Sequence, residues 1–252
     1  MPTPLTQLLA TADALLTPER FQDYCPNGLQ VEGKPQIRRL VSGVTASLAL
    51  LEAARDSGAD AILVHHGYFW KNEVPVVTGI KRRRLQLLLQ HDISLIAYHL
   101  PLDAHPEFGN NAQLAQQLDI EITGGLQSGA NPMGNIGRLR EAMSPEAFVE
   151  KISQRLGRAP QFIAGGDHAI RTLAWCTGAA QGYIEQAAAL GVDAFLSGEI
   201  SEQTVHSARE LGLHFIAAGH HATERYGVRA LGEYLAAQLQ IEHVFIDIAN
   251  PV

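Results

Sequence analysis

The chain has 252 residues, 46% of them hydrophobic and 18% charged, which is ordinary globular composition with enough apolar mass for a substantial core. Its formal net charge of −7 argues against broad coating of nucleic acid or of an anionic membrane, although a local basic patch is still allowed. No apolar run approaches the roughly 20 residues that span a bilayer. Met1 to Leu16 lacks the charged start, apolar run and cleavage site of a signal peptide. Two cysteines, Cys25 and Cys176, are too few for a disulfide framework. The expectation is a cytoplasmic, reduced protein whose thiols are structural.

Taken in chain order, Arg39 to Val44 reads as a strand, Leu48 to Ser57 as a helix and Ala61 to Val64 as a strand. Arg82 to His91 then reads as a helix and Ile93 to Tyr98 as a strand. This alternation predicts a mainly parallel sheet flanked by helices. Gly124 to Asn135 is rich in Gly, Asn and Pro and reads as a loop. Ser144-Pro145 opens a helix to Leu156 with an N-cap and a proline at its first position, and a short strand follows near Gln161 to Ala164.

The alternation then returns. Thr172 to Cys176, Ala194 to Ser197 and His214 to Ala218 read as strands, with helices at Tyr183 to Leu190 and Ser201 to Leu211. A long helix, Ala222 to Leu239, and a last strand, Val244 to Ile248, complete the chain.

The two halves also match in detail. Glu52 to Leu63 parallels Glu185 to Leu196, and Leu95-Ile-Ala-Tyr-His99 parallels Phe215-Ile-Ala-Ala-Gly-His220 with one extra residue. His99 and Asp103 then align with His220 and Glu224, a histidine and a carboxylate four residues apart after a strand. The fold expected is α/β, with two pseudo-repeated lobes, residues 1–123 and 169–252, joined by a short inserted segment, 124–168. Ligands of such sheets bind in the crevice at strand ends, which puts the expected cleft between the lobes.

Three clusters carry chemistry: His65-His66 after an apolar strand, His99 with Asp103, and His220 with Glu224. Neighbouring side chains at a strand end point different ways, so the His pair can reach two ions, or one histidine can ligate while the other packs. Imidazole with carboxylate suits zinc, iron, manganese, cobalt or nickel. Taken alone, each cluster is also consistent with core packing or a hydrogen bond at a helix start.

Val64-His-His-Gly67, His99-Leu-Pro-Leu-Asp103 and Gly219-His-His-Ala-Thr-Glu224 resemble the NIF-three-like family, also called dinuclear metal centre hexameric proteins or GTP cyclohydrolase I type 2 homologues. Asn27-Gly-Leu-Gln-Val31, Ser197-Gly-Glu199 with His206, and Phe245-Ile-Asp-Ile-Ala-Asn-Pro251 extend the likeness to the short bacterial branch across essentially the whole chain. The resemblance implies two divalent metal ions per subunit (iron, zinc or manganese) held by His65, His66, Asp103, His220 and Glu224, with Glu224 bridging. It also implies a toroidal homohexamer.

Around this set, His99 reads as an outer-shell partner or proton shuttle, or as a strand cap. Glu199 aligns with His66 in the repeat and reads as a general base, or as a remnant of duplication. His206 stands on the helix after it. His221 reads as a solvent-facing neighbour of the ligand, and His91, His105, His168, His214 and His243 as surface or structural. Tyr68-Phe-Trp70 offers rings for a planar ligand or for packing of the loop. Lys81 to Arg84 is a phosphate site or a solvated basic face.

Two classes of function follow. One is a metal-dependent hydrolase of a small substrate such as a nucleotide or heterocycle, with GTP cyclohydrolase chemistry implied by the resemblance. The other is a non-catalytic metal-binding scaffold or regulatory interaction protein built as a ring. Membrane binding is not expected, and nucleic acid is a minor third option.

Overall fold

The computed structural model describes residues 2–129 and 131–252. In chain order its elements are β1 (Thr3–Pro4), α1 (Leu5–Leu16), β2 (Gly28–Val31), β3 (Gln36–Ile37), β4 (Arg39–Thr45), α2 (Leu48–Asp56), β5 (Ala61–His66), α3 (Gly79–Gln90), β6 (Ser94–Ala97) and α4 (Leu100–Ala104). There follow α5 (Asn110–Leu118), β7 (Ile120–Gly125), β8 (Asn135–Met143), α6 (Pro145–Leu156), β9 (Gln161–Ile163), β10 (Ile170–Cys176), α7 (Ile184–Ala189), β11 (Ala194–Ser197), α8 (Glu202–Leu211), β12 (His214–Ala217), α9 (His220–Leu239) and β13 (Glu242–Phe245). The chain is α/β, as its alternation predicts. It divides into two compact units, Met1–Leu102 with Gly227–Ala249, and Asp103–Tyr226 with Asn250–Val252.

The first unit holds a five-stranded sheet ordered β13-β4-β5-β6-β2. β13, β4, β5 and β6 run parallel, and β2 is antiparallel to β6. Alternate strand residues serve two cores. Val41, Ile62, Val64 and Leu95 pack with Leu50, Leu51 and Ala54 of α2 and with Leu85, Leu87 and Leu88 of α3. Leu40, Ala61, Leu63 and Ile96 pack with Leu5, Leu8, Ala12 and Leu16 of α1 and with Val228, Leu231 and Leu235 of α9. Cover on both faces explains why these strands read as unbroken apolar runs.

The second unit holds a six-stranded sheet ordered β7-β8-β10-β11-β12-β9. Only its centre, β10-β11-β12, is parallel. β8 pairs antiparallel with β10 and β7 with β8, while β9 pairs antiparallel with β12. Leu114 and Leu118 of α5, with Phe148 and Ile152 of α6, cover one face. Ile184 and Ala187 of α7, with Ala208 of α8, cover the other.

The limits drawn from sequence, residues 123 and 168, both fall inside the second unit. The segment expected as an insertion supplies both flanks of that unit's sheet, through β8 and β9. In the Gly-rich stretch Gly124, Gly125 and Asn135 are in strands, while 126–129 and 131–134 form neither helix nor strand; Ala130 lies outside the described residues. The last strand begins earlier than expected, at Glu242, and pairs with β4 of the first unit, not with the second sheet. Backbone pairing partners carry no local signature, so adjacency in sequence placed this strand in the lobe 169–252. α9 starts at His220 rather than Ala222, which brings His220 and Glu224 into one helical turn. α6 matches its signals: the Ser144 hydroxyl accepts from the Ala147 N–H at 3.2 Å, and Gly157 ends the helix with φ 65°.

Candidate metal centre

In the first unit, β5 is apolar up to its end and there presents His65 and His66. His65 is fully buried, and its Nδ1 lies 2.9 Å from the Tyr98 carbonyl. A carbonyl only accepts, so Nδ1 carries the proton and Nε2 carries the lone pair, the state a metal-ligating imidazole needs. His66 is anchored at Nδ1 by the Thr45 hydroxyl at 3.1 Å. His99, just past β6, donates from Nδ1 to Asp23 Oδ1 at 2.7 Å. The His99 ring centroid stands 5.0 Å from that of His65 and 5.8 Å from that of His66.

Asp23 is a buried carboxylate that also accepts from Asn27 Nδ2 at 2.8 Å and from the Leu100 N–H at 2.9 Å. Burial alone would raise its pKa, but the bonds from His99, Asn27 and Leu100 outweigh that and hold it below the usual carboxylate value. Asn27 Oδ1 also takes the His99 N–H at 2.7 Å. Gln30 braces the turn after the His pair, accepting the Tyr68 N–H at 2.7 Å. A Cβ at Gly67 would collide with Gln30 Oε1 and with Ala97 Cβ, so the turn needs glycine.

In the second unit, Asp103 sits on α4, and its Oδ1 accepts from Asn110 Nδ2 at 2.8 Å. Asn111 ties the same turn to β10. Its Nδ2 donates to the Asp103 carbonyl, its Oδ1 accepts the Thr177 N–H and its carbonyl accepts Trp175 Nε1. Glu224 lies 3.0 Å from His220 Nε2, while His220 Nδ1 donates to Glu199 Oε1 at 2.7 Å. Burial pulls the His220 pKa down, but Glu224 and then Glu199 overcome it and raise it to about 9. Asp103 is only 7% exposed and Glu224 3%, and their carboxylate oxygens stand within 4.8 Å of one another. Two buried carboxylates this close repel unless a cation or proton is shared between them, so the donor set fits a divalent metal.

The residues singled out from sequence therefore gather as His65, His66 and His99 in the first unit, and as Asp103, Glu199, His220 and Glu224 in the second. His206 lies apart, exposed and paired with Glu202 on α8. His221 is a correction: it is 8% exposed, not solvent-facing, and its N–H donates to the Val252 carbonyl. The helix begins two residues earlier than its sequence signals, so His221 lies within it and is buried. Tyr68 is core, its hydroxyl bonded to the Ala46 carbonyl, whereas Trp70 is half-exposed with its ring 5.0 Å from that of His99. Lys81 pairs with Glu73, and Arg84 lies over the Tyr68 ring. Both thiols are buried. Burial and then Asp23 push Cys25 up to about 12, and burial with Asp103 and Glu224 pushes Cys176 up too, so neither is a reactive thiolate.

Asp23, Asn110, Asn111 and Thr177 escaped the sequence reading. Asp23 and Asn27 stand four apart with no strand before them, and Asn110-Asn111 resembles any helix start. Gly178 also escaped: it has φ +69°, and a Cβ there would strike Glu224 Oε1.

These features define the class. The family described as Duf34/NIF3 (NGG1p interacting factor 3) matches residues 3–251, and the chain belongs to that family. It is 62% identical to a protein of Pseudomonas aeruginosa and 52% identical to one of Escherichia coli K12, both named GTP cyclohydrolase 1 type 2 homolog, with 98% of each chain covered in both cases. Among solved structures it resembles protein ybgI, of unknown function, at 51% identity and TM-score 0.95 over 99% of this chain and 100% of the other. It also resembles reduced HcgD from Methanocaldococcus jannaschii, at 25% identity and TM-score 0.86 over 98% and 99%. Among the described residues, no helix is long and apolar enough to cross a membrane.

Proposed function

We propose that the chain binds two divalent metal ions through His65, His66, Asp103, His220 and Glu224, with Glu224 bridging, and is a hydrolase of a small substrate. The observation that carries this reading is the buried Asp103–Glu224 pair, two carboxylates whose oxygens lie within 4.8 Å of one another. When bound, a pair of such ions supplies Lewis-acid polarisation and activates water near neutral pH. The chain's own residues do the rest. Glu199 holds the His220 proton at Nδ1, so that Nε2 is the ligating atom. Asn110 orients Asp103 in the same way. His99, fixed by Asp23, supplies an imidazole for proton transfer beside His65 and His66.

The relatives' name suggests a nucleotide or heterocycle, with hydrolytic opening of the GTP purine ring at C8 as its most specific form. A cytoplasmic homohexameric ring completes the reading. The test is metal content per subunit, without chelator or His tag, for wild type and Glu224→Ala. Close to two ions in wild type, with a clear fall in the variant, is expected. Metal-loaded protein is then assayed against nucleotides, phosphoesters and amides, with formate release read for GTP. No ion in wild type after refilling with iron, zinc or manganese overturns the metal centre. Two ions without turnover of any substrate class overturns the hydrolase and leaves a metal-binding scaffold.

A further inference from the structure

We infer that the second unit carries a binding site for a small phosphate monoester with an apolar body, in the hollow where α5 meets the antiparallel pair β7–β8. The hollow measures about 780 Å³, within the roughly 300–1,000 Å³ of ordinary small-molecule sites. None of Asp103, Glu199, His220 and Glu224 is among the described residues that line it, so it is separate from the metal candidates of the same unit.

Its position follows from an irregularity in the sheet. β8 and β10 pair antiparallel, Met143 with Ile170 and Arg138 with Thr172. Between these two pairs, four residues of β8, Leu139 to Ala142, stand opposite one residue of β10, Arg171. An interruption of this kind breaks the ladder, bends the strand and re-aims its side chains. It brings Arg140 and Arg171 to the same stretch of sheet, where both are exposed and both line the hollow. Ala115 of α5, Ile120 of β7 and Leu139 of β8 line it as well, and all three are buried. The hollow therefore has an apolar floor and a cationic rim.

The acids of the hollow are already matched. Arg138 donates to both carboxylate oxygens of Glu121, at 2.9 Å each. Asp119 takes Lys151 and Arg155 at 3.1 Å each. Lys151 first, with Arg155 and Arg140 after it, holds the Asp119 carboxyl below the usual carboxylate range, so it stays charged and paired. Arg140 and Arg171 remain as cations that no side-chain hydrogen bond or ion pair with another described residue holds. Guanidinium groups present flat pairs of N–H donors that match the oxygens of a phosphate. Ala115, Ile120 and Leu139 then take the apolar body of the same molecule. Because the two cations are exposed, salt screens their attraction, and a bare phosphate lacks the apolar contact that adds to it.

The test is titration of the full chain with phenyl phosphate, read by calorimetry and by methyl NMR of Ile120 and Leu139. Inorganic phosphate and benzyl alcohol each supply one half of that probe. Saturable binding of phenyl phosphate is expected, with shifts of the Ile120 and Leu139 methyl signals. The affinity is expected to stay the same after a chelator has stripped any metal, which separates this site from phosphate held by an ion. Inorganic phosphate binds more weakly, and benzyl alcohol does not saturate. Arg140→Gln together with Arg171→Gln lowers the affinity for phenyl phosphate by about tenfold or more. The melting temperature of that variant is unchanged, because both side chains are exposed. Glu121→Gln releases Arg138 as a third donor and tightens binding. No saturation with phenyl phosphate at millimolar concentration overturns the inference. So does binding that leaves both methyl signals unmoved, that survives the double substitution or that disappears with the chelator.

Discussion

Gly178 shows how much one missing side chain can decide. Its φ of +69° is a left-handed conformation, and its Cα faces Glu224 and His220 so closely that a methyl group would collide with Glu224 Oε1. The Gly178 carbonyl also receives the N–H groups of Gly198 and Glu199, which hold the loop after β10 against the loop after β11. Gly178→Ala is expected to cost about 1–3 kcal/mol in backbone strain, read as a fall in melting temperature. Metal titration of the same variant is expected to show weaker binding, because Glu224 must move. Unchanged affinity would mean that Glu224 is not held by this contact.

His220 carries a pH dependence whose sign is fixed by its neighbours. Glu224 and Glu199 outweigh burial and raise it to about 9, above the ordinary value of about 6.5. In metal-free protein the charged imidazole stabilises the fold fully below about pH 6.5. That contribution is lost as pH rises through about 9. Melts of metal-free protein are expected to show this decline, and His220→Gln to flatten it. A divalent ion must displace the same proton, so its binding is expected to tighten over the same rise in pH.

At the scale of elements, the loop between β5 and α3 is pinned at one carboxylate. Glu73 accepts the N–H groups of Phe69 and Trp70 and pairs with Lys81 of α3. This gives Lys81 a structural task at a helix start where positive charge is otherwise disfavoured, while Arg82 and Arg83 stay exposed. Phe69, with φ 65°, is kept in a conformation rare for its type. Glu73→Ala is expected to loosen the loop. The chain has two tryptophans, and Trp175 is fully buried, so a rise in fluorescence quenching by acrylamide reports Trp70. No change would assign the loop's order to packing alone.

The two parallel cores share a second device at this scale. Asp60, just before β5, accepts the N–H groups of Arg38 and Arg39 at the start of β4. Asp193, just before β11, accepts those of Arg171 and Thr172 in β10. These two aspartates are the ones the internal alignment superposes. The match reflects a common need to satisfy the first backbone donors of a parallel strand.

For the whole molecule, two of the three passages between the units occur inside helices, at Leu102–Asp103 in α4 and at Tyr226–Gly227 in α9, and the third is at Ala249–Asn250. Asp103, His220 and Glu224 sit within these helices, so each ligand candidate of the second unit lies within a few residues of a chain crossing. The proposed homohexamer is tested by light scattering on a sizing column, with six chain masses expected; a monomer or dimer at micromolar concentration would remove the ring. With a net charge of −7, retention on a DNA column at physiological salt is not expected.

The sequence by itself determined the α/β class, because unbroken apolar strands alternating with amphipathic helices allow little else. It also pointed to histidines and acids after those strands, among them His65, His66, Asp103, His220 and Glu224, which fall in groups that could hold a metal ion. It did not reveal α1, although Leu5, Leu8, Ala12 and Leu16 lie on one helical face, nor the pairing of β13 with β4. Tertiary structure alone decided that pairing, the flanking strands β8 and β9, the inward turn of His221 and the anchoring of His99 by Asp23. These rest on contacts between residues far apart in the chain, where the energy lies in a shared hydrogen bond or a shared core and no single segment carries the pattern.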